Sequence, residues 1–127
     1  MPQLNTSAVN SQADNIGTDF ATAAVIIYDG SVPADANTAI TSQTALATHT
    51  LTSFGASAAG VITAATVPDT VTIDAPGTAT FARLVLTTKT MQVTVGVGTG
   101  ELQLSSLTYV AGEDSTLNSL TITQPAA

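Results

Sequence analysis

The chain has no cysteine and no tryptophan, one histidine, and only two basic residues, Arg83 and Lys89, in 127 positions. Without cysteine there can be no disulfide and no thiolate nucleophile or ligand, and the redox compartment is left open. Charged residues make up 9% of the chain, against about 25% in ordinary soluble domains. Binding to phosphates needs clustered Lys and Arg that displace counterions. Two cations in a chain of net charge −7 and pI near 4.1 argue against a nucleic-acid partner, and none is expected. An anionic membrane surface is disfavoured for the same reason. No apolar run approaches the roughly 20 residues of a spanning helix; the longest, residues 23–28, has strand length. The start, Met1-Pro2-Gln3-Leu4-Asn5, lacks the basic and apolar regions of a signal peptide, so use without Sec export is expected.

What the chain does contain is Ala, Thr, Ser, Val, Leu and Gly in short alternating runs. The hydrophobic fraction is 44% and the mean hydropathy +0.36, a figure raised by alanines that bury little area. A surface so poor in charge is expected to be covered by neighbours in an assembly. The length suits one domain with one core. Strands are expected at residues 21–28, 45–52, 61–67, 70–73, 78–88, 91–97, 101–105, 107–110 and 115–123, where β-branched residues alternate between turn signals. The turns are Asp29-Gly30, Pro68-Asp69, Asp74-Ala75-Pro76-Gly77, Lys89-Thr90 and Ala111-Gly112-Glu113-Asp114, with a loop at 31–44. Many short strands at this spacing predict an all-β domain. The expected architecture is a single β-sandwich of about eight short antiparallel strands, jelly-roll or Ig-like, over residues 21–127. Residues 1–20 read either as a short helix over 5–15, capped by Asn5 or Thr6 with Leu4, Val9 and Ile16 as apolar points, or as an extended arm.

No motif names a reaction, and the chain is expected not to be an enzyme. Gly96-Val97-Gly98-Thr99-Gly100 lacks the GK[ST] ending of a phosphate loop and lies between strands, so a bulged hairpin is expected there. The nine acidic residues are scattered, mostly at turns, without EF-hand spacing, so no metal and no cofactor is assigned. A Ca²⁺ ion between loops is the alternative. His49 stands between threonines with no second histidine and no nearby acid, and no nucleophile elbow supports a Ser/His/Asp triad. Structural or interface use of His49 is expected. Arg83 sits in an apolar strand, so its head must find a carboxylate or carbonyl within the chain, or a partner across an interface. Phe54 is expected to plug the core between flanking small residues. Arg83, Lys89, His49 and Phe54 are thus the candidate interface residues.

The stretch Val25-Ile26-Ile27-Tyr28-Asp29-Gly30-Ser31-Val32-Pro33-Ala34 is followed by Leu46-Ala47-Thr48-His49-Thr50-Leu51 and by Phe54-Gly55-Ala56-Ser57-Ala58-Ala59-Gly60-Val61. Gly77-Thr78-Ala79-Thr80-Phe81-Ala82-Arg83 and Val110-Ala111-Gly112-Glu113-Asp114 come next, before a final strand. This order, over about residues 20–124, resembles small β-rich virion proteins of tailed bacteriophages, of the head decoration or cement type. Related chains begin with a clearer amphipathic helix than this one. The resemblance implies a structural protein on the capsid exterior, assembled in the host cytoplasm, with the major capsid protein as partner. It also implies a homo-oligomer, a trimer or dimer, on the capsid lattice. A carbohydrate-binding or adhesin module is the alternative from another class, though only 4% of residues are aromatic. A tail or head–tail joining protein is the other.

Overall fold

The computed structural model describes residues 5–36, 38–51, 54–55, 57–58, 60–64, 69–86, 89–97 and 99–123. The elements are a helix α1 (Thr6–Asp19) and strands β1 (Ala24–Tyr28), β2 (Ala45–Thr50), β3 (Val61–Thr63), β4 (Asp69–Thr72) and β5 (Gly77–Thr78). They continue with β6 (Phe81–Leu86), β7 (Lys89–Gly96), β8 (Leu102–Leu104), β9 (Thr108–Tyr109) and β10 (Asp114–Thr123). The expected positions Leu4, Thr52, 65–68, 87–88, Gly98 and 124–127 lie outside the described residues.

The strands form one curled sheet in the order β2-β1-β6-β7-β8-β10-β3, with β4 also paired to β10, plus a small β5-β9 pair. The curl carries the far side back to the start. The N–H groups of Asp74 and Ala75, just beyond β4, both donate to the Leu46 carbonyl at 2.7 and 3.4 Å, so β4 comes to lie beside β2. The β3 end is covered too, by a Phe54–Ala64 bridge and the Gly55 N–H on the Thr63 carbonyl. Covered edges deny other chains a template for strand addition. The result is a mostly β, sandwich-like fold, as the alternation predicts.

The register explains which residues fill the core. Across β2, β1, β6 and β7 the inward rows read His49–Val25–Leu84–Met91 and Ala47–Ile27–Ala82–Val93. Leu102, Leu104, Leu117, Leu120 and Ile122 line the opposite wall. Simple alternation places Leu46 and Ala47 on opposite faces, yet both are buried. The register passes from Ile27–Ala47 to Tyr28–Ala45, so Leu46 is the extra residue of a bulge in β2, and consecutive residues turn inward.

Three sequence expectations are corrected. The run 78–88 is two strands, because the chain crosses between sheets at Ala79 and Thr80, whose N–H groups donate to Leu107 and Tyr28 carbonyls. Lys89 and Thr90 belong to β7, with Lys89 paired to Leu86, rather than to a turn. The glycine-rich stretch is no hairpin: β7 and β8 run parallel, Val95 beside Leu102 and Gly96 beside Gln103. Parallel neighbours normally need a crossover of a dozen or more residues. Here the chain makes a full circle between Gly96 and Glu101, with Gly100 at φ +84°. The Glu101 carboxylate accepts from the Thr94 N–H at 3.2 Å, while the Glu101 N–H donates to the Thr94 hydroxyl at 3.1 Å.

The N-terminal segment is a helix. The Asn5 side chain caps it by accepting from the Ala8 N–H at 2.9 Å. Val9, Ala13, Gly17 and the following Phe20 are buried, and Asn10 and Asp14 hold the segment around Ser57 and Gly60.

The tight circle generates a test. A Cβ on Gly96 would lie 2.5 Å from the Thr99 carbonyl oxygen, a backbone atom with little room to give. Gly96→Ala is therefore expected to cost about 1–3 kcal/mol, read as a lowered midpoint in urea. An unchanged midpoint contradicts the circular path.

Candidate functional site

Two polar constellations stand out against a neutral background. The first is buried. His49 Nε2 lies 3.1 Å from the Ser115 hydroxyl, which lies 2.7 Å from the Tyr109 hydroxyl. β2, β10 and β9 bring them together, each at an inward position. His49, Ser115 and Tyr109 are all buried. Ser115 has one hydroxyl hydrogen and two lone pairs, so it donates to at most one of these neighbours and can accept from either. His49 is engaged elsewhere as well. Burial pushes the Tyr109 hydroxyl above the usual tyrosine value of 10.0, and its bond to Ser115 opposes part of that rise.

A serine within reach of a histidine invites a nucleophile–base reading. Here a substrate carbonyl would have to reach a hydroxyl already held between two buried side chains. The arrangement instead satisfies three polar groups inside the core and links one wall of the sheet to the other.

The second constellation is on the outward face. Arg83 and Gln92 are cross-strand partners on β6 and β7, in a row that continues through Ile26 to Thr48. Arg83 is only 6% exposed. Its guanidinium donates to the Asp35 and Thr38 carbonyls at 3.1 and 2.6 Å, and to the Gln92 side-chain oxygen at 3.1 and 3.2 Å. Gln92 in turn donates to the Pro33 carbonyl at 2.9 Å. The loop after β1 is thereby pinned over the sheet, so the described hydrogen bonds of Arg83 stay within the chain.

The remaining candidates are placed as follows. Lys89 makes an ion pair of 2.9 Å with Asp19 at the end of α1, both about half exposed. Solvent screens such a pair, and it adds little stability. Phe54 is half-buried and packs against the core, close under α1 at Gly17. The four candidates do not form one site: His49 is in the core and Arg83 lies under the loop after β1, while Lys89 and Phe54 each lie against the last turn of α1. Among the described residues, no three His, Asp or Glu side chains group closely enough to hold a metal ion. No helix among them is long and apolar enough to cross a membrane.

Sequence reasoning missed Ser115, Tyr109 and Gln92. The inward phase of Ala47, His49 and Leu51 was a signal for the first two. Gln92 could have been found only with the hairpin turn placed correctly. Comparison of the chain with family models, curated proteins and solved structures finds no match.

Two outcomes test the buried trio. Ser115→Ala removes the hydroxyl that the buried Tyr109 and His49 side chains share and is expected to cost about 1–3 kcal/mol, read by urea unfolding; a neutral substitution contradicts the trio. Raised in the fold, Tyr109 contributes stability that is complete below pH 10 and lost as pH rises through the folded value. The melting temperature should fall more steeply above pH 10 in the unsubstituted chain than in Tyr109→Phe. Equal slopes contradict this.

Proposed function

We propose that this chain is a structural virion protein of the capsid decoration type, which binds the outside of a shell in many copies and reinforces it. The major capsid protein is the partner, and the chain assembles there as a dimer or trimer. One observation carries the reading: the character of the outward face of β2, β4 and β10. Its exposed positions include Thr48, Thr50, Thr70, Thr72, Asn118 and Thr123, with Thr116 and Thr121 half-buried and one exposed acid, Asp114, at the start of β10. Thr70 and Thr116 bond each other across the ladder at 3.1 Å.

Hydroxyl and amide groups lose far less than charges do when taken out of water. A surface of this kind covers and uncovers at low cost, which suits broad contacts between subunits. At about 25 cal/mol per Å² of apolar area, each contact is modest. Many contacts on one lattice add through multivalency. The composition and the resemblance of turn and strand order point the same way.

The test compares particles with and without this chain. Particles lacking it should rupture at lower temperature, and adding the purified chain back should restore resistance. Equal resilience in both preparations contradicts a reinforcing role.

A further inference from the structure

Among the described residues, neighbouring strands around the curled sheet share hydrogen-bonded ladders everywhere except at its closure, where β2 and β4 share none. The register shows which groups face that seam. The Leu51 N–H donates to the Ala23 carbonyl at 3.0 Å, and Ala24, Val25 and Ile26 lie opposite Thr50, His49 and Thr48. Antiparallel pairs alternate between bonded and unbonded residues. The backbone groups of His49 and Leu51 thus turn to β1, and those of Thr48 and Thr50 turn away from it. On the other side the Ile73 N–H donates to the Glu113 carbonyl at 2.7 Å, and Val71 lies opposite Ser115. The backbone groups of Thr70 and Thr72 therefore turn away from β10, toward β2. All four threonines are exposed, and no described bond joins the two rows.

Hydrogen bonds close the seam at two levels. At one end the Leu46 carbonyl accepts from the Asp74 and Ala75 N–H groups at 2.7 and 3.4 Å. Inside, the His49 side chain on β2 meets the Ser115 hydroxyl on β10 at 3.1 Å. Packing beside that contact is thin, since Val71, the inward residue of β4, is only half-buried. Parts of a fold joined by few bonds open at lower free energy than the whole unfolds. Parting any other two strands of the sheet breaks a ladder; parting β2 from β4 breaks none.

We infer that the β2–β4 seam is a reversible opening line in this fold and that the His49–Ser115 contact is its clasp. During opening β2 stays laddered to β1, β1 to β6, and β4 to β10, so the sheet parts without unravelling a strand pair. Closed, the seam keeps two strand edges from other chains; open, it bares the Thr48–Thr50 and Thr70–Thr72 edges. The inference stands on the fold alone and is independent of the function proposed above.

His49 is the chain's one histidine and is fully buried, so its reaction with diethyl pyrocarbonate reports the opening. The experiment follows that reaction on the full chain by mass spectrometry, in urea below the unfolding transition. Exchange of the Leu84 amide, buried between β1 and β7 midway round the sheet, reports global unfolding in the same samples. His49 should be protected about tenfold less than Leu84, and its rate should rise with urea on a slope between zero and that of Leu84. Val93→Ala lies on β7, midway round the sheet from the seam, and should speed exchange at Leu84 while leaving His49 unchanged. Ser115→Ala should speed the His49 reaction about tenfold. A zero slope at His49, which means reagent entry without opening, overturns the inference. A slope equal to that of Leu84, or equal acceleration of both by Val93→Ala, means global unfolding and overturns it too. An unchanged His49 rate in Ser115→Ala overturns the clasp.

Discussion

A curled sheet can bury its inner face on itself, and most of this structure follows from that closure. The bonds from Asp74 and Ala75 to the Leu46 carbonyl bring β4 beside β2, and the inner rows from both walls then form one core. The closure also dictates where polar groups can go. His49 falls on an inward row and must find partners there, which Ser115 and Tyr109 supply with β10 and β9. On the opposite face of β6, Arg83 has no water to turn to once loop 29–44 lies over it, so the loop's own carbonyls become its acceptors. Two of the few polar side chains inside the fold are thus explained by one geometric demand.

Much of the fold was legible in the sequence because the strand period and turn chemistry are local. The alternation in β1 and β10, the inward Leu102 and Leu104, and the turns at Asp29-Gly30 and Ala111-Gly112 needed no knowledge of neighbours. Other features depend on partners distant in sequence. Burial of Leu46 comes from a bulge set by the β1 register. The split of 78–88 comes from Leu107 and Tyr28 receiving the chain between sheets. The parallel pairing of β7 with β8 comes from glycines that allow a full circle, and their composition equally suits a bulged hairpin. At the candidate site, Arg83 was recognisable as a residue that needed an acceptor. That the acceptors are loop carbonyls 45 and 48 positions away is a tertiary fact.

The distribution of charge links this fold to its proposed role. The side chains with most chemical capacity are used inside the molecule: His49 and Ser115 within the core, Arg83 beneath a loop. Lys89 pairs with Asp19 at the surface. What remains outward on β2, β4 and β10 is mostly threonine and amide, a surface with little to lose on being covered. Such a surface suits the broad contact area that the proposed shell-reinforcing role needs.

The most direct measurement is a cryo-electron microscopy map of the native particle. The account predicts density for this sheet on the outer surface, repeated across the lattice. A particle whose surface carries no such density contradicts it.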